Sequence, residues 1–113
     1  MRVYICIPLA YGDDEVNAAN IESIRRDLEA IGHEVVSPIN NAKGYPSRMA
    51  KCIEDLLSCK AIYAAGDWKK CKRCSIEYYI AKAHDMKVLF GPERINSLKP
   101  YIVQHVKDNK EYK

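Results

Sequence analysis

The stretch 66-GDWKKCKRCSIEYYIAKAH-84 holds the residues best equipped for chemistry. It contains Cys71 and Cys74 as a C-x-x-C, the single tryptophan Trp68, a run of lysines, and one carboxylate, Glu77. Three chemistries compete for them. A C-x-x-C supplies two of the four ligands that a structural zinc needs, but Cys52, Cys59 and His84 are scattered and none stands at knuckle spacing, so no metal is expected. Lys69, Lys70, Lys72 and Arg73 around the two thiols would lower their pKa and leave redox sensitivity open. A thioredoxin-like pair would, however, be expected much nearer the amino terminus, after the first strand.

Glu77 is the third candidate. A helix starting near Ser75 places it in about the first turn, where unpaired amides and the macrodipole stabilise a carboxylate by about 0.3–1 kcal/mol. A carboxylate aimed into a ligand crevice is suited to attack an anomeric carbon. Acids also occur in first turns simply because they stabilise helices, and on sequence physics alone that plainer role outweighs the nucleophile. Because so exposed a carboxylate contributes at most about 1 kcal/mol, Glu77→Gln or Glu77→Ala would leave the fold intact.

The elements that must position these residues follow from hydrophobic periodicity. Val3 to Leu9, VYICIPL, is an unbroken apolar run, the mark of a strand buried on both faces of a parallel sheet. Asn17 to Ile31 reads as a helix with Ile21, Ile24, Leu28 and Ile31 at helical spacing and Gly32 as its stop. His33 to Ser37 is a short second strand. Residues 40–47 are loop by composition, and Ser47 is the expected N-cap of a helix carrying Met49, Ile53, Leu56 and Leu57. Ala61 to Ala65 forms the third strand, Ser75 to His84 a helix with Ile76, Ile80 and Ala83 on one face, and Lys87 to Phe90 the fourth strand. A last helix runs from about Ile95 to Lys107.

Strands alternating with helices imply right-handed crossovers. The expectation is one doubly wound, flavodoxin-like or Rossmann-like α/β domain of three layers over residues 1–113, with four to five parallel strands in the order 2-1-3-4. Ligands in such folds sit at the carboxyl ends of the strands where the order reverses, which directs attention to 8-PLAYGDD-14 and 66-GDWKKCKRC-74.

Composition narrows the function classes. The 113 residues are 48% hydrophobic and 29% charged, with a net charge of +3, so one ordinary globular domain is expected. The mild excess of Lys and Arg could attract a phosphate-bearing ligand but is weak grounds for a nucleic-acid polymer. No apolar run reaches membrane-spanning length, and Pro8 within a short apolar start argues against a secretory signal. Five cysteines, with Cys6 and Cys59 in apolar surroundings, suit buried free thiols in a reducing cytoplasmic setting. Without a G-x-G-x-x-G or Walker motif, a dinucleotide or kinase-type site is not expected. A lone Trp68 could stack on a base or cover the sheet edge.

Three segments together resemble the nucleoside 2-deoxyribosyltransferase-like superfamily, over about residues 1–90. They are 4-YICIPLAYGDD-14; Asn17 with 30-AIGHEVVSPIN-40; and 56-LLSCKAIYAAGDWKKCKRCSIEYYIAKA-83. The resemblance implies N-glycosidic bond hydrolysis or transfer on a nucleoside or nucleoside 5′-monophosphate, with no metal or organic cofactor. Glu77 falls on the family's nucleophile. Pro8, Leu9, Ala10 and Gly12 fall on the loop that holds the sugar or its phosphate, Asn40 closes the second segment, and Asp67 and Trp68 border the base. Cys52 falls where the family carries a second acid, so Asp55, one turn on, becomes the substitute catalytic acid. Lys60 stands in place of a family aspartate, and Arg73 in place of a glycine that allows close ligand approach. The alternative is therefore a non-catalytic nucleotide-binding or regulatory module on the same fold. The family's habit of association implies a homo-oligomer, with no membrane partner.

Overall fold

The computed structural model describes residues 1–9 and 14–91; Ala10, Gly12 and the expected helix from Ile95 to Lys107 lie outside the described residues. In chain order the elements are β1 (Arg2–Cys6), α1 (Asp14–Ala30), β2 (Glu34–Val36), α2 (Tyr45–Leu57), β3 (Ala61–Ala64), a short 3-10 turn (Trp68–Lys70), α3 (Lys72–Ala83) and β4 (Lys87–Phe90). The strands form one wholly parallel sheet in the order β2-β1-β3-β4, as the alternation of elements predicted. In register, Tyr4 lies opposite Val36 on one side and Ile62 on the other, and Tyr63 lies opposite Leu89.

The apolar run of β1 divides by parity, because successive side chains of a strand point to opposite faces. Val3, Ile5 and Ile7 pack with Ile21, Ile24 and Leu28 of α1, together with Val35, Ala61 and Tyr63. Tyr4 and Cys6 pack on the other face with Cys52 and Leu56 of α2 and Cys74 and Ala81 of α3. The result is a three-layer α/β domain. Among the described helices none is long and apolar enough to cross a membrane.

Helix ends account for most departures from the expected boundaries. Gly32 terminates α1: it adopts φ 93°, its amide donates to the Glu29 carbonyl at 3.0 Å, and the His33 amide donates to Leu28 at 3.1 Å. These two bonds are those of a Schellman ending, and they leave Ile31 exposed beyond the helix rather than on its buried face. Ser47 is not the cap of α2. That helix starts two residues earlier behind Gly44, with Pro46 in its first turn, where a missing amide hydrogen costs nothing. Its inward residues are Met49, Cys52 and Leu56, while Leu57 is exposed.

The helix expected from Ser75 begins instead at Lys72. Its buried face is Cys74, Glu77 and Ala81; of the expected stripe, Ile80 is half-buried against that cluster, while Ile76 and Ala83 are exposed. A carboxylate at a core position weakens the apolar period, so the stripe of Ile76 and Ile80 reads as the more convincing face in sequence.

Candidate functional site

The start of α3 lies over the carboxyl end of β1. The Cys6 thiol donates to the Cys74 carbonyl at 3.6 Å, and Arg73 Nη2 donates to the carbonyl of Ile7. This docking brings Glu77 against the sheet. Its carboxylate has no exposed surface and is held from two sides. Arg73 Nη1 donates to both Oε1 and Oε2 at 2.8 Å, and the Tyr4 hydroxyl donates to Oε2 at 3.0 Å.

Glu77 is the sixth residue of α3 and so belongs to its second turn. The helix terminus is not what stabilises its charge, since dipole effects fade beyond the first turn; Arg73 is. The expectation that Glu77→Gln would be harmless therefore fails on physical grounds. A glutamine would keep an oxygen for Tyr4 but leave the Arg73 charge buried without its counter-ion.

The electrostatics form one coupled network. Burial works against the charge of Arg73, yet Glu77, Cys74 and Tyr4 beside it raise its pKa above the ordinary arginine value. Burial first, and the Glu77 charge second, push the Tyr4 hydroxyl above its ordinary value. Burial likewise raises the Cys52 thiol, which lies against the Tyr4 hydroxyl. Cys52 Sγ donates to the Pro38 carbonyl at 3.3 Å and accepts from Asn40 Nδ2 at 3.5 Å. A polar chain thus runs from Asn40 to Cys52 and, across the packing contact of Cys52 with Tyr4, on through Glu77 to Arg73 and the end of β1.

The residues singled out in sequence divide accordingly. Glu77 and Asn40 belong to this chain, and Pro8 and Leu9 directly follow the Ile7 carbonyl that anchors Arg73. Asp55 is not joined to it: its carboxylate pairs with Lys51 at 3.2 Å. Cys52, at the position of the missing acid, is the side chain of α2 that reaches Tyr4. Asp67 and Trp68 line a different feature, a groove of about 420 Å³ at the ends of β3 and β4 with Gly66, Lys69, Lys70, Phe90 and Gly91. Trp68 is packed on Tyr78, with ring centroids 4.4 Å apart, while Lys69 Nζ lies 5.7 Å from its ring centre. It forms a wall of the groove rather than a free stacking platform.

Sequence reasoning missed Tyr4 and Arg73 as site residues. Tyr4 is absorbed into an apolar run, and Arg73 counts in sequence only as one of the charges around the two thiols and as the replacement of a glycine. The only signal available was the i, i+4 spacing of Arg73 and Glu77 on one helix face. No group of three or more His, Cys, Asp or Glu among the described residues could hold a metal ion.

The profile of a family defined as a domain of unknown function, DUF4406, matches residues 1–90. The chain belongs to the DUF4406 family. The match runs from β1 to the last residue of β4, so it takes in the whole described sheet, the enclosed carboxylate and every groove residue except Gly91. No curated protein matches this chain.

Proposed function

We propose that the chain is a binding module for a nucleoside or nucleoside 5′-monophosphate at the carboxyl edge of its sheet, and that it does not cleave the glycosidic bond. The observation that carries this reading is the enclosure of Glu77: no exposed surface, and both oxygens engaged by Arg73. Attack on C1′ needs a carboxylate lone pair facing the sugar, and here donors take three of about four such sites on a side chain with no exposed surface. Departure of the base needs an acid, whose absence costs a factor of about 10²–10⁴; position 52 is a thiol held protonated by burial, and Asp55 is turned to Lys51. Support for the ligand class comes from the fold's ligand edge, the resemblance to nucleoside 2-deoxyribosyltransferases, and a groove that offers aromatic walls beside two lysines.

One observation favours a second reading, the glycosidic enzyme. A buried ion pair contributes little to stability compared with apolar packing of the same volume, so its placement beside Tyr4 at the end of β1 is typical of a functional site. An anionic ligand that drew Arg73 away would free Glu77 to displace the base, and water or a second base would resolve the glycosyl-enzyme with overall retention.

Calorimetry with deoxynucleosides, ribonucleosides and their 5′-monophosphates, paired with chromatography for free base, separates the two. Binding without base release is the expected result. Base release that disappears in a folded Glu77→Gln variant would establish the enzyme instead, and no binding by any of these ligands would remove both readings.

A further inference from the structure

We propose that Cys71 and Cys74 form a reversible dithiol–disulfide switch, oxidised by a low-molecular-weight disulfide of the glutathione type, which resets the first turn of α3 and with it the Arg73–Glu77 pair. The inference stands whatever the site binds. Cys71 is the N-cap residue of α3, with extended backbone at φ −95° and ψ 118°, and its carbonyl accepts the Ser75 amide at 2.9 Å. Cys74 follows three residues later on the same side. Residues at that spacing bring their Cβ atoms to roughly 5–6 Å, whereas a disulfide holds them about 3.5–4.5 Å apart, so closing the bond must draw Cys71 in towards the first turn. Both residues are free thiols, and Cys71 packs against the core cluster that holds Cys74.

Exposure assigns the roles. Cys71 is partly exposed, whereas Cys6, Cys52, Cys59 and Cys74 are buried, so Cys71 is the thiol an oxidant in solution meets first. Its thiolate attacks one sulfur of the oxidant, forming a mixed disulfide and releasing one small thiolate. Cys74 then gives up its proton to solvent and attacks Cys71 Sγ, closing the internal bond and releasing the second small thiolate. The protein loses two electrons and two protons, and one oxidant disulfide becomes two thiols.

The contact with Cys74, then burial, push the Cys71 thiol above its ordinary value, and the contact with Cys6 does the same for Cys74. Thiolate is scarce at neutral pH, so the pair reacts slowly. That suits a switch answering sustained oxidation and not a turnover oxidoreductase. The output is built in, because Arg73 stands between the two cysteines. Its Nη2 donates to Cys74 Sγ at 3.4 Å while its Nη1 holds Glu77, so converting that sulfur to a disulfide and drawing Cys71 towards it must reseat the guanidinium.

The test uses the full reduced chain in native buffer with glutathione disulfide, followed by alkylation and peptide mapping. The expected product is a single Cys71–Cys74 bridge, two hydrogens lighter and reversed by dithiothreitol. Amide exchange should change over residues 72–77 and stay as before in α1. Cys71→Ser should form no internal bridge, and Cys71→Ala serves if the serine variant folds poorly. A Cys6–Cys74 bridge, a glutathione adduct that persists on Cys71, no reaction of the folded protein, or a bridge that leaves exchange in α3 unaltered would each overturn the proposal.

Discussion

The two faces of β1 are built from adjacent residues and behave as different materials. Towards α1, Val3, Ile5 and Ile7 meet Ile21, Ile24 and Leu28 in a mainly aliphatic contact, with the uncharged Asn17, Asn20 and Ser23 buried on the same helix. Towards α2 and α3, Tyr4 and Cys6 meet thiols, a carboxylate and a guanidinium. The aliphatic face is held by non-directional burial, at about 25 cal/mol per Å² of apolar surface. The polar face is held by a few directional bonds whose partners become liabilities when left alone. The same strand thus carries a scaffold on one side and a candidate site on the other.

Breaking the polar face should have the largest effect. Arg73→Met leaves the Glu77 carboxylate buried without a counter-ion, and urea unfolding should show a loss of about 3–5 kcal/mol. Arg73→Met combined with Glu77→Leu should recover most of that loss, since an apolar pair of similar volume needs no charge compensation. If the single variant proved as stable as the parent, the network would be an ornament of the fold.

Next in size is Tyr4→Phe, which removes one hydrogen bond to a charged group and should cost about 1.5–3 kcal/mol. It also carries a pH signature. Tyr4 and Cys52 have their pKa raised in the folded state from 10.0 and 9.0, so the unfolded chain releases these protons first as pH rises. Their contribution to stability is complete below those unfolded values, 9.0 for the thiol and 10.0 for the tyrosine, and falls steadily as pH rises above them. Unfolding measured across that range should show a shallower alkaline decline for Tyr4→Phe than for the parent; parallel curves would mean Tyr4 is not the titrating group.

The smallest effect belongs to the aliphatic face. Ile24→Val removes one buried methylene and should cost about 0.5–1.5 kcal/mol. The loss should be the same at neutral and alkaline pH, because no titrating group of the network touches that side. A pH-dependent loss would show the two faces to be coupled through β1.

What the amino-acid sequence determined by itself is the part governed by local chemistry. The unbroken apolar run at β1, the helical period of Ile21, Ile24 and Leu28, and the glycine stop at Gly32 are short-range signals, and with the handedness of crossovers they yield the 2-1-3-4 sheet. The thiol character of Cys6 and Cys59 was legible too, since apolar neighbours predict burial. Only the tertiary structure decided which face each residue serves. In sequence Glu77 is an acid near a helix start and Arg73 one of several cations; docking of α3 over the end of β1 removes water from both and makes each the other's requirement. Tyr4 was hidden for the reverse reason, because a tyrosine in a buried strand looks apolar until its hydroxyl finds a partner 73 residues away. Contacts of that range depend on where three elements meet, which no local period encodes.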